Sequence, residues 1–65
     1  MQFRIEIDCG NAAFGENQYD TEQEVVRILR EAADKLEFCG FDHAYLYDYN
    51  GNRVGSADFE VASDV

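Results

Sequence analysis

The apolar residues of this chain change period twice, and that change constrains the fold more than any other feature. Over residues 2–8, Phe3, Ile5 and Ile7 fall on one side and Gln2, Arg4, Glu6 and Asp8 on the other. This is the two-residue period of a half-buried strand. Further on, Val25, Ile28, Leu29, Ala32 and Leu36 recur at three- and four-residue steps, which makes one apolar stripe along a helix. Residues 43–49 alternate again and are rich in strand-forming tyrosine and leucine. A last strand is expected over 52–61, with a frayed tail from Val61 onward. The order strand, helix, strand, strand predicts an α+β fold: a two-layer β-α-β-β sandwich with one helix on a three-stranded sheet. The pattern leaves open whether the first strand pairs with the second or the third.

The connections carry their own signals. Residues 9–20 read as a loop because they hold two glycines, two asparagines and Asp20. Phe14 is the bulky apolar residue within it and is expected to anchor that loop against the edge of the core. Thr21 and Glu24 have the spacing of a capping box, which would start the helix at Thr21. Asp20, Glu22 and Glu24 would complement the positive end of its dipole. Glu31 and Lys35 are spaced to pair on the exposed side, and Gly40 is placed to end the helix after 36–38. Asp48, Asn50, Gly51 and Asn52 read as a hairpin built on a type I turn with a glycine bulge. That register sets Leu46 opposite Val54, both toward the core. The five-residue step from Val54 to Phe59 then requires a second irregularity near Gly55 and Ser56.

Sixty-five residues make a single domain, 1–65, that buries only about 60% of its unfolded surface. The charged start Gln2, Phe3, Arg4, Ile5, Glu6 lacks the apolar run of a secretion signal, and no stretch approaches the roughly 20 apolar residues of a membrane span. The expected location is therefore the cytoplasm in which the chain is made. Cys9 and Cys39 should lie near opposite ends of a helix about 25 Å long, too far for a disulfide, so two free thiols are expected. No cysteine or histidine pattern of a zinc site is present.

Catalysis finds little purchase. His43, beside Asp42, is the single histidine, and no cysteine or elbow-borne hydroxyl lies near it in sequence to serve as nucleophile. Asp48, Asn50 and Asn52 imitate the first ligands of a calcium loop. Arg53 stands where the loop needs glycine, and Phe59 where it needs a bidentate carboxylate. A chain of this size offers no obvious deep cleft. The sequence thus reads as a non-enzyme with no catalytic residues, cofactor or metal.

Charge speaks more clearly. Fourteen acidic residues against five basic ones give a net charge of −9, which argues against direct nucleic-acid binding and against an anionic membrane. Residues 25–41 hold three of each sign, so the excess lies in the strands, the loops and the helix start. The strand patterns place Arg4, Glu6, Asp8, Tyr45, Tyr47, Asp58 and Glu60 on the outer face of the sheet. Tyrosines supply rigid contact area and carboxylates steer toward a basic partner. Glu6, Asp8, Tyr45, Tyr47, Asp58 and Glu60 are therefore the candidate partner-binding residues. Carboxylates so spaced can take the positions of phosphates, which makes a DNA mimic. An ordinary solvated sheet face explains the same residues, with charge serving solubility only.

The residues Ile5, Glu6, Ile7, Asp8; Asn11, Ala12, Ala13, Phe14; Arg27, Ile28, Leu29, Arg30 with Ala33 and Asp34; and Asp48, Asn50, Gly51, Asn52, Val54, Gly55 resemble a widespread group of small acidic phage and prophage proteins. The likeness spans nearly the whole chain, and its motifs are elements of a fold. Some proteins from such genomic settings are anti-CRISPR proteins. The chain resembles one directed against a type I system, with type I-C the suggested subtype. That resemblance implies binding to the type I target-recognition complex, Cascade, in the cytoplasm of the bacterial host, and blocking of its access to DNA. A monomer or weak homodimer is expected. The alternative is a phage accessory or assembly module that pairs through its sheet edge.

Overall fold

The computed structural model describes residues 1–61. It contains β1 (Gln2–Ile7), a 3-10 turn (Ala12–Phe14), α1 (Gln18–Phe38), β2 (His43–Tyr47) and β3 (Arg53–Glu60). One helix packs on a three-stranded antiparallel sheet of order β1-β3-β2, so the α+β sandwich read from the sequence is the fold. The last strand lies in the middle. Phe3 pairs with Phe59, Ile5 with Ala57 and Ile7 with Gly55, while Ala44 pairs with Ala57 on the other side. Of the tail expected from Val61, positions 62–65 fall outside the described residues.

The helix starts three residues before the expected point. Asn17, extended at φ −129° and ψ 167°, is its cap, and the Asn17 side chain accepts from the Asp20 amide at 2.9 Å. Thr21 is thus inside the helix, and its hydroxyl donates to the carbonyls of Phe14 and Asn17 at 3.0 and 3.1 Å. Glu24 is freed from the capping role and turns toward the hairpin. The other end follows expectation: the Gly40 amide, at φ +72°, donates to the Lys35 and Leu36 carbonyls.

The core gathers Phe14, Ile28, Leu46, Val54 and Ala13, with Ala44 and Ala57 also buried. Phe14 is wholly buried, which bears out its reading as the loop's anchor. The neighbouring Asn11 holds the 3-10 turn in place by accepting from the Ala13 amide at 2.8 Å. The helix approaches this turn and β2 most closely. It leaves the β1 side thinly covered: Phe3 and Leu29 are each more than 40% exposed, at 44% and 42%. A shallow apolar groove runs there between Phe3 and Ile5 on the strand and Leu29, Ala33 and Leu36 on the helix.

The hairpin confirms the turn chemistry and corrects the register. The Gly51 amide donates to the Asp48 carbonyl at 3.0 Å, and Gly51 sits at φ +86°, as a type I turn with a glycine bulge requires. Leu46, however, pairs with Gly55 and Tyr47 with Arg53, so Val54 is the extra residue of a bulge and has no partner on β2. Leu46 and Val54 are both buried nonetheless. The second irregularity expected near Gly55 and Ser56 is this bulge, set one residue earlier at Val54, and it satisfies both the core and the five-residue step to Phe59.

Candidate functional site

Strand alternation sends Ala44 and Leu46 into the core and His43, Tyr45 and Tyr47 to solvent. On β3 the solvent side carries Arg53, Ser56, Asp58 and Glu60, and on β1 it carries Gln2, Arg4 and Glu6. Register then sets them in rows: Gln2 beside Glu60; Arg4, Asp58 and His43; Glu6, Ser56 and Tyr45; and Arg53 beside Tyr47. Five of the six candidate residues, Glu6, Tyr45, Tyr47, Asp58 and Glu60, therefore share one face opposite the helix. The sixth, Asp8, lies just beyond β1, where its carboxylate accepts from the Gly10 amide at 2.9 Å and borders the same shallow depression as Arg53.

This face is less acidic than the strand pattern predicted. It sets Glu6, Asp8, Asp58 and Glu60 against Arg4 and Arg53, a formal excess of two negative charges. The missed residue is Arg53, whose guanidinium carbon lies 4.5 Å from the centre of the Tyr45 ring. His43 meets the same ring edge-on, with 4.8 Å between ring centres, and is part of the same aromatic row. Arg4 reaches Glu60 at 3.5 Å, with both side chains about half exposed (51% and 50%), a pair worth little on its own. Glu6 and Asp58 enter no ion pair among the described residues. Tyr45 and Tyr47 are each 49% exposed, which leaves half of each side chain free for contact.

The strongest electrostatic site is elsewhere, at the hairpin, and it is structural. Glu24 accepts from Arg27 Nε and Nη2 at 2.9 and 2.8 Å and from the Tyr49 amide at 2.9 Å. Arg27 also pairs with Glu31 and donates to the Tyr47 carbonyl at 3.0 Å. Glu31 therefore turns to Arg27, not to Lys35 as its spacing suggested. The bonds from Arg27 outweigh desolvation and hold the Glu24 carboxyl below its ordinary value. Next to it, Asp48 is buried in the turn. Its Oδ1 accepts from the Asn50 and Asn52 amides at 2.8 and 2.9 Å, and its Oδ2 from the Asn11 and Asn52 side chains at 2.8 and 3.2 Å. Burial alone would raise the Asp48 carboxyl; these four bonds reverse that and hold it below the usual range. The calcium-like residues are thus used up in organising the turn. Among the described residues, no three His, Cys, Asp or Glu side chains converge on one point.

Cys9 is half-buried and Cys39 exposed, both as free thiols. No described helix is long and apolar enough to cross a membrane. No family model, curated protein or solved structure matches the chain.

Proposed function

We propose that this chain is a phage-encoded inhibitor, an anti-CRISPR protein, that docks its outer sheet face on a basic, DNA-binding surface of a type I Cascade complex, type I-C being the suggested subtype. One observation carries the reading. The half-exposed Tyr45 and Tyr47 share a solvent-facing sheet surface with Glu6 and Asp58, carboxylates that have no ion-pair partner among the described residues. Such a surface gives contact area from the rings and steering from the charges. Glu6, Asp8, Asp58 and Glu60 supply the negative charge, and Tyr45 and Tyr47 supply the packing. Arg4 lies beside Glu60 and Arg53 over the Tyr45 ring, so Glu6 and Asp58 are the carboxylates of this face without an ion-pair partner among the described residues. The net charge of −9 adds long-range attraction to any basic surface, and that attraction weakens as salt is added. The reading is one of binding, with no catalytic step and no cofactor.

The test is inhibition of DNA binding by purified type I Cascade, followed by mobility shift at low and moderate salt. The wild-type chain is expected to block DNA binding, and the double variant Asp58→Lys/Glu60→Lys to lose roughly tenfold or more in potency. Its circular dichroism should not change, because both side chains lie on the wet face. Full inhibition by the double variant, or none by the wild type, refutes the proposal.

A further inference from the structure

The two edges of the sheet differ. On β2, the Tyr47 carbonyl is occupied by Arg27 Nη2 at 3.0 Å. Nothing comparable lies along β1 among the described residues. The direction of its backbone groups follows from two bonds. The Asp8 amide donates to the Val54 carbonyl at 2.7 Å, so even-numbered residues of β1 face β3. The Phe59 amide donates to the Asp42 carbonyl at 2.9 Å, which turns the even-numbered amides of β3 toward β1 and agrees. The amides and carbonyls of Phe3, Ile5 and Ile7 therefore point outward from the sheet. Among the described residues the Ile7 carbonyl meets only the Cys9 thiol, at 3.9 Å.

We propose that β1 is a self-pairing edge, and that two copies of this chain join antiparallel across a two-fold axis at Ile5 to form a continuous six-stranded sheet. The sequence of β1 selects this register. Arg4 and Glu6 flank Ile5 symmetrically, so each Arg4 comes to lie opposite the other copy's Glu6, twice per dimer. A shift of one residue in the axis toward Arg4 sets two arginines opposite one another; a shift toward Glu6 sets two glutamates opposite, and the Asp8 that it brings opposite Arg4 is already engaged by the Gly10 amide. The chosen register also pairs the outward backbone groups of Ile5 with Ile5 and of Phe3 with Ile7. On the inner side it lays Phe3 against Ile7 of the other copy, which covers apolar surface that α1 leaves open. Glu6, unpaired in the single chain, gains an opposite charge. The outer faces of the two copies become one surface of twice the width. This inference concerns the edge of the sheet and stands whether or not the face binds Cascade.

The test is sedimentation velocity over about 20 μM to 1 mM, the range suited to an interface well below standard size. The wild type is expected to shift from monomer toward dimer. Arg4→Glu and Glu6→Arg each set like charges opposite at both symmetric positions and should weaken self-association by roughly thirtyfold. Mixing the two variants should restore association as a heterodimer, because each then complements the other. Circular dichroism confirms that both variants are folded. With rising wild-type concentration, amide exchange at Phe3, Ile5 and Ile7 should slow, while that at Arg4 and Glu6 stays constant. A wild type monomeric at 1 mM, or a mixture that associates no better than its components, overturns the proposal. So does slowing at any other edge.

Discussion

Replacing Gly55 with alanine should destabilise this protein, although glycine to alanine inside a strand ordinarily stabilises by about 0.5–1 kcal/mol. Gly55 sits in the central strand beside the bulge and pairs with both Ile7 and Leu46. A methyl group there would fall inside the surface of the Glu6 carbonyl oxygen, 2.9 Å from its carbonyl carbon and 3.0 Å from Ile7 Cα. These are backbone atoms of β1, so no side-chain rotation relieves the clash. The strand itself must retreat, by on the order of 1 Å, which takes neighbouring ladder bonds from about 2.9 Å to beyond a bonding distance. Losing two or three such bonds costs about 2–3 kcal/mol. A 65-residue domain has only about 3–10 kcal/mol in total. With a urea slope of about 1 kcal/mol per molar for so small a chain, the midpoint should fall by about 2–3 M. Urea titration by far-ultraviolet circular dichroism measures this directly. Protection of the β1 amides that face β3 should drop with it. A midpoint equal to or above that of the wild type, with those amides still protected, would refute the close approach of β1 and β3 at this position.

Phe14→Ala removes the largest wholly buried side chain and should cost about 3–5 kcal/mol, enough to leave the chain largely unfolded at 25 °C; a loss under 1 kcal/mol by urea titration would mean the loop is not anchored through Phe14. Acid should act through Glu24 and Asp48, whose carboxyls are held below their ordinary values. For such depressed acids, the stability is present in full above the unfolded-state values of about 4 and is lost as pH falls through the lowered folded-state values. The double variant Glu24→Gln/Asp48→Asn should therefore be less stable than the wild type at pH 7, and the gap should narrow as pH falls below about 4. A gap that stays constant with pH would show that these two groups do not titrate with folding.

Much of the fold was legible because the signals involved are local. Alternation in β1 and β2, the stripe Val25, Ile28, Ala32, Leu36, and the turn from Asp48 to Asn52 each depend on residues a few positions apart. The helix start was misread for the same reason. Thr21 has the spacing of a cap, yet its hydroxyl donates to the Phe14 and Asn17 carbonyls, and Asn17, in what reads as a loop, caps the helix instead. Glu24 shows the point again. Its spacing fits a capping box, yet a bidentate arginine and the Tyr49 amide from a hairpin 25 residues away hold it instead.

The candidate site divides along the same line. Which side chains share a face follows from strand period, so Glu6, Tyr45, Tyr47, Asp58 and Glu60 could be grouped from the sequence. Their neighbours could not. Arg53 lies eight residues from Tyr45, and it was the register across the Val54 bulge that brought its guanidinium over that ring. That contact lowers the acidity of the face from what the strand pattern suggested.

By itself, then, the sequence determined the order and type of the elements, the helix end at Gly40, the glycine-bulged turn and the burial of Phe14. These rest on backbone conformation and hydrophobic period, which neighbouring residues decide. Only the tertiary structure decided that β3 lies between β1 and β2, that Val54 is the bulged residue, that Glu24 belongs to the hairpin and that β1 is an open edge among the described residues. Each of those is a choice among long-range partners, made when the surfaces meet and the competing hydrogen bonds and ion pairs are weighed against one another.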